Sequence, residues 1–297
     1  MSRKLQADLL LIFCCLIWGA TFVMVKDALA DASVFVFLAL RFVVATAVLL
    51  FIYGRELKRI GASGFRAGAL MGCFMFGGYA FQTAGLKLTT PSKAAFITGF
   101  FVVLVPLLLA LFGSRRLSLW VWLGALSAFA GLYYLAVPPS GLAALNRGDL
   151  LVLGCAFMFA LQVISIGHYT VRFSPGALSL IQIAVTSLLT ALCVPIFALV
   201  GAEPARVVWT RGLLFAVIAT GTLATALAFS AQVWAQQFTS ATHAAIIFTL
   251  EPVFAGLTSF VFYHERLGAR SLAGAGLILG GILIAELLGP APAAAES

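Results

Sequence analysis

A chain of 297 residues, 63% of them hydrophobic and only 9% charged, has a mean hydropathy of +1.11 and cannot cover itself with a water-facing surface. Soluble domains carry about 25% charged residues. The 18 basic and 10 acidic side chains leave a net charge of +8. Most of the basic ones stand in short connections between apolar runs, the pattern of a membrane protein's loops rather than of a nucleic-acid surface. Nucleic acid is therefore not an expected partner, and the lipid bilayer is.

At roughly 20 residues per crossing, the length predicts about ten transmembrane helices. Arg3 and Lys4 lead directly into the first apolar run, which is of full spanning length, so no cleavable leader is expected. Apolar runs then follow at 7–29, 33–53, 66–86, 91–112, 119–138, 148–170, 175–200, 211–236, 241–263 and 270–288. The punctuation falls at Gly54–Ser63, Gly113–Ser118, Pro138–Arg147, Gly201–Arg211 and Tyr263–Arg270. The Ala/Pro-rich tail, residues 289–297, is expected to be disordered. The runs are about twice as long as a barrel strand and do not alternate, so a β-barrel is excluded. Cys14, Cys15, Cys73, Cys155 and Cys193 all lie inside apolar runs as small hydrophobes, with neither disulfide nor metal spacing.

The second half repeats the first. Ala7-Asp8-Leu9-Leu10 is echoed by Gly148-Asp149-Leu150-Leu151, a shift of 149 − 8 = 141. Further on the shift becomes 150, pairing Gln82 with Gln232, Ala94-Ala95 with Ala244-Ala245, Gly124 with Gly274 and Gly131 with Gly281. The difference, 150 − 141 = 9 residues, is extra connection around Gly201–Arg211. Two units of five helices each are expected, 1–140 and 146–288. An odd number of crossings forces the second unit to insert upside down, the arrangement of secondary transporters with a midplane site between the halves.

Orientation follows from the first half. With a cytoplasmic N-terminus, Arg3, Lys4, Arg55, Lys58, Arg59, Arg66, Arg115 and Arg116 lie inside, against Lys26, Lys87 and Lys93 outside. The second half reverses this bias, with Arg172 inside against Arg206, Arg211, Arg266 and Arg270 outside. Early helices usually set orientation, so both termini are expected in the cytoplasm.

Several motifs resemble a known family. Leu16-Ile17-Trp18-Gly19-Ala20-Thr21-Phe22 is similar to the opening motif of EamA-type carriers of the drug/metabolite transporter superfamily. So is Ser92-Lys93-Ala94-Ala95-Phe96-Ile97-Thr98-Gly99 running into Val105-Pro106. In the second half the resemblance rests on Thr242-His243-Ala244-Ala245, Leu250-Glu251-Pro252 and Glu265-Arg266-Leu267. It implies an all-α polytopic carrier of ten helices in a cell membrane, the bacterial inner membrane being the expected one. It also implies an exporter of small metabolites such as amino acids. Arg115-Arg116 stands where the second half has Glu265-Arg266, so an acidic role there is not duplicated.

One spacing recurs independently of the family. An aromatic residue is followed three positions later by a polar one at Trp18/Thr21, Tyr79/Gln82, Phe159/Gln162, Phe229/Gln232 and Phe248/Glu251. On a helix such pairs share one face, which suits an amphipathic small molecule that stacks and hydrogen-bonds at once. The same polar groups can instead bind helix to helix. The expected substrate contacts are Trp18, Thr21, Tyr79, Gln82, Phe159, Gln162, Gln232, Phe248 and Glu251.

Two ionisable residues lie deep in the runs, and such residues are costly in hydrocarbon and functional candidates by default. Glu251 precedes Pro252, which removes a helix hydrogen bond. It either binds a proton or cationic substrate, or sits neutral against the broken backbone. Arg41 is expected to be structural, snorkelling or bonded to carbonyls, because Gln182 replaces it in the repeat. Pro106, Pro195 and Pro252 are expected kinks. His168, His243 and His264 fall near run ends without metal spacing. Asp8 and Asp149 are expected at helix N-termini, where the dipole favours them.

Two other function classes compete. An intramembrane serine enzyme would use Gly61-Ala62-Ser63-Gly64, but this stretch reads as a basic loop without a mid-span histidine to activate the serine. A channel would need acidic rings or filter loops, which are missing. The reading that stands is a transporter and not an enzyme, a monomer that moves a small-molecule substrate by alternating access, with neither cofactor nor metal.

Overall fold

The computed structural model describes residues 2–89, 91–112, 118–137, 146–263 and 268–288. Among these the chain is helical throughout, with no strand beyond an isolated antiparallel bridge between Ala32 and Val207. The connections at 113–117, 138–145 and 264–267, the tail, and with them Arg115, Arg116, His264, Glu265, Arg266 and Leu267, lie outside the described residues.

Helices α1 (Arg3–Asp31) and α2 (Val34–Tyr53) are joined by a two-residue turn. A 3-10 turn, Gly54–Arg59, leads into α3 (Gly61–Leu86). Then come α4 (Pro91–Gly99), α5 (Phe101–Phe112) and α6 (Leu119–Ala136). The second half runs through α7 (Arg147–Tyr169), α8 (Pro175–Leu199) and α9 (Arg211–Ala219). A π-helical segment, Thr220–Leu227, connects α9 to α10 (Ala228–Ala235). After α11 (Ala241–Ile247) a 3-10 turn, Phe248–Leu250, precedes α12 (Glu251–Tyr263), and α13 (Ala269–Leu288) closes the chain. Among the described residues seven stretches are long and apolar enough to cross a membrane, and two shorter apolar helices cover Phe96–Phe112 and Leu119–Leu135. Large apolar side chains such as Phe51, Phe112 and Leu199 stand more than four-fifths exposed. In water that would be untenable, and in lipid it is the expected outer face.

Local chemistry explains several helix starts. Ser2, Ser118, Ser174, Thr210 and Ser240 each accept a backbone N–H from the first turn that follows, satisfying donors that a helix N-terminus leaves orphaned. Asn146 and Asp149 form a reciprocal capping box on α7 at 3.0 and 2.9 Å. The expectation for Asp8 is corrected: α1 begins at Arg3, so Asp8 lies in the second turn and faces His243 instead of a helix N-terminus. The Gly61-Ala62-Ser63-Gly64 stretch is likewise the first turn of α3 and not a loop.

The extra residues before α9 have a structural task. Ser33 N donates to Arg206 O at 2.9 Å and Val208 N to Asp31 O at 2.8 Å. Thr210 Oγ1 donates to Asp31 Oδ2 at 2.6 Å, and Arg206 Nη2 to Ala30 O at 2.7 Å. Lys87 pairs with Glu203, whose carboxylate also accepts from Val34 N. The segment thus ties the C-terminal ends of α1 and α3 to the start of α2.

Helices α6 and α13 meet through glycine. A Cβ placed on Gly131 would lie 2.5 Å from Gly274 O, and one on Gly124 would lie 2.7 Å from Gly281 O. Gly131 faces Gly274 while Gly124 faces Gly281, so the two helices run antiparallel. Backbones this close leave no room for any side chain, and small residues are what permit such contact in a membrane.

Candidate functional site

Several helices stop being regular α where they converge. Threonines shape the first of these breaks: Thr220 Oγ1 donates to Ala216 O at 2.6 Å, Thr222 Oγ1 to Ile218 O at 2.7 Å and Thr225 Oγ1 to Thr220 O at 2.8 Å. Hydroxyls that bond back to their own helix bend it. The resulting π segment redirects carbonyls outward, and Ala224 O accepts the Trp18 indole N–H at 2.8 Å. The second break is the 3-10 turn Phe248–Leu250, after which Pro252, lacking an N–H, sits in the first turn of α12. Gly19 of α1 lies against that restart, where a Cβ would come within 2.7 Å of Glu251 O and 2.8 Å of Ala255 N.

These breaks surround a cavity of about 110 Å³. All nine expected contact residues line it: Trp18, Thr21, Tyr79, Gln82, Phe159, Gln162, Gln232, Phe248 and Glu251, together with Phe229. The aromatic rings touch each other as well as the cavity. Trp18 lies 5.2 Å from Phe229 and 5.3 Å from Phe248, and Tyr79 lies 5.5 Å from Phe159 between ring centroids.

The polar members divide by whether they already have partners. Thr21 Oγ1 donates to Ile17 O of its own helix at 2.9 Å. Gln82 Nε2 reaches Thr98 Oγ1 at 3.4 Å. A chain of amides runs from Gln182 through Gln162 and Gln232 to Gln236, with steps of 3.4, 3.5 and 3.1 Å. Gln236 Nε2 ends it on Val163 O at 2.9 Å, while Gln232 Oε1 is left unsatisfied. Glu251 has neither a hydrogen bond nor an ion pair among the described residues.

Arg41 departs from expectation. It neither snorkels nor bonds to carbonyls. It is buried in the cavity wall, where Nε donates to Thr225 Oγ1 at 2.6 Å and Nη2 to the Tyr79 hydroxyl at 3.2 Å. Its guanidinium carbon is 4.8 Å from the Tyr79 ring centroid, a cation–π approach. The cavity thus holds one guanidinium and one carboxylate that are not paired with each other. The replacement of Arg41 by Gln182 in the repeat pointed away from this role. A mid-span arginine, functional by default, was the signal that pointed toward it. The wall also takes in Thr98, part of the first-half family motif, and Val25, Thr83, Leu86, Phe101 and Val163, none of which carried a sequence signal.

Broken helices around an aromatic and polar cavity are an arrangement found in small-molecule carriers. Comparison with known proteins gives the family. The EamA-like transporter family model matches the chain twice, over residues 5–137 and 146–287. An uncharacterized transporter of Archaeoglobus fulgidus is 36% identical over 291 residues, covering 96% of this chain and 87% of that protein. A protein of known crystal structure superposes with a TM-score of 0.79 at 22% identity, over 95% of this chain and 96% of the other, a likeness of fold alone. The chain belongs to the EamA-like transporter family.

Proposed function

We propose that this protein is a secondary transporter that carries small amphipathic organic molecules, amino acids with flat apolar side chains among them, by alternating access through the central cavity. One observation carries the reading: a single cavity brings together an aromatic wall, a guanidinium, a carboxylate without a partner and an amide chain with an unsatisfied oxygen. A zwitterion with an aromatic side chain complements each of these in turn. Arg41 attracts the carboxylate, Glu251 the ammonium, and Trp18, Tyr79, Phe159 and Phe248 the ring. The outward direction follows the family resemblance in the motifs.

The architecture in this reading is ten spans in two inverted five-helix units, 1–140 and 146–288, with both termini in the cytoplasm of a bacterial inner-membrane protein. The two successive family matches and the antiparallel run of α6 against α13, helices equivalent in the repeat, support it. Cysteine-accessibility mapping that found Gly113–Ser118 and Tyr263–Arg270 on one side of the membrane would refute the inversion.

A panel of radiolabelled solutes in proteoliposomes, with and without a pH gradient, tests the carrier reading. In that assay Trp18→Ala and Gln82→Ala weaken apparent affinity while the purified variants still fold and insert. Lower melting temperature with near-normal affinity would instead make both residues helix–helix contacts.

A further inference from the structure

Away from the cavity, four ionisable side chains converge at the opposite end of α1. Lys4 Nζ lies 2.5 Å from Glu286 Oε1. His243 Nε2 faces two carboxylates at once, Glu286 Oε2 at 3.0 Å and Asp8 Oδ1 at 3.3 Å. Both of those oxygens are buried and lack any other hydrogen-bond partner. The cluster spans three helices, α1, α11 and α13, and all four residues are partly buried.

Its place relative to the cavity follows from helix geometry. Asp8 is ten residues before Trp18, about 15 Å along α1. The cavity continues the other way, past Trp18 and Thr21 to Val25 on α1, and to Leu86 at the end of α3. Between cluster and cavity lie Leu11 and Cys15 of α1 with Ala244, Ile246 and Ile247 of α11, all buried in one core. The Cys15 thiol donates to Ile247 O across that contact at 3.5 Å. The N-terminal end is therefore shut by an apolar plug with the ionic cluster outside it.

One nitrogen facing two carboxylates makes the cluster depend on a proton. With His243 protonated, two cations balance two anions, and the positive ring lies between both carboxylates. With His243 neutral, its Nε2–H can still reach a carboxylate, but Lys4 alone balances Asp8 and Glu286, and the uncompensated negative charge is costly in a low-dielectric site. Histidine is the side chain that makes this change between about pH 5 and 8. Other elements packed on α11 add little. Helix α5 has no titratable residue, and the tyrosines of α6, Tyr133 and Tyr134, contact Arg270. At this end α7 offers Tyr169 and an exposed His168 set edge-on against it. The repeat sharpens the point, since position 93, which the shift of 150 relates to His243, is a lysine whose charge is permanent at these pH values.

We propose that Lys4, Asp8, His243 and Glu286 form a proton-binding clasp outside the transport cavity, which holds its N-terminal end shut while His243 is protonated and releases it when the proton leaves. This rests on the alternating-access reading for its purpose, but not for its test.

Hydrogen exchange read by mass spectrometry on the substrate-free protein in nanodiscs, at about pH 5.5 and pH 8, tests the clasp after correction for intrinsic amide rates. The wild type loses protection in residues 9–17 and 241–247 at the higher pH, by about tenfold, the scale of a hydrogen bond to a charged group. His243→Lys stays protected at both pH values, and His243→Gln exchanges fast at both. A wild type without this response, or either variant that keeps it, overturns the proposal. If His243→Gln does not fold, the charge-preserving His243→Lys decides alone. No substrate is present, so a carrier reading that failed in the solute panel would leave this result intact.

Discussion

The α6–α13 pair and the cavity wall solve the same problem, packing helices in lipid, in opposite ways. Along α6 and α13 the helices are regular and backbones meet at Gly124, Gly131, Gly274 and Gly281, with one hydroxyl bond across, Ser127 Oγ to Leu277 O at 2.9 Å. Around the cavity the helices are interrupted at Thr220–Leu227 and Phe248–Leu250, and contact runs through side chains: indole to carbonyl, guanidinium to hydroxyl and phenol, amide to amide. Close backbone contact leaves no void and no polar atom to offer. Interrupted helices do the reverse, opening space and turning backbone and side-chain polar groups into it. A carrier needs both, a stiff frame and a wall that can exchange partners with a solute.

The largest effect expected from this contrast is in the frame. Gly131→Leu forces a side chain into a site where its first carbon already meets Gly274 O, so it costs at least the roughly 1–3 kcal/mol of core overpacking. Melting of the purified variant registers this as a large loss. Gly280→Ala on the same helix pair, where a Cβ meets nothing within 4 Å, leaves the melting temperature close to wild type.

Changes in the wall act on solutes more than on the frame. Arg41→Gln removes a charge-assisted partner and weakens binding of solutes that carry a carboxylate by about 1.5–3 kcal/mol, measured as affinity in proteoliposomes. Glu251→Gln keeps shape and hydrogen bonding but deletes the charge. It weakens solutes with an ammonium group by about tenfold, on the same scale, and spares those without one. Unchanged transport with unchanged pH dependence would reduce Glu251 to a structural residue. The smallest effect belongs to Thr21→Val: the hydroxyl already bonds Ile17 O, so affinity holds and stability moves by about 1 kcal/mol or less.

The candidate site was legible to the extent that it is periodic. A pair at i and i+3 states which residues share a helix face, and all five pairs reach the same cavity. The partners of Arg41 were not foreseen, because a repeat comparison reports only what the other half lacks. Its partners, Thr225 and Tyr79, are 184 and 38 residues away in the chain. The cluster at Asp8 was missed for a similar reason: Lys4 and Asp8 stand four apart on α1, but no spacing relates them to His243 or Glu286, and an aspartate near a helix start reads as a dipole partner.

Composition, run length and the internal repeat determined by themselves that this is a helical membrane protein and where most helices lie, because lipid forces every backbone group to bond within its own segment. The motifs placed it in its family, and the i, i+3 pairs named much of one wall. Only the tertiary structure decided that the five pairs meet, that Arg41 and Glu251 share the space unpaired, that α9 passes into α10 through a π segment, and that His243 stands between two carboxylates. Each of these depends on contacts between residues far apart in the chain. Sequence periodicity tells which way a side chain leaves its own helix, and packing alone tells what it meets.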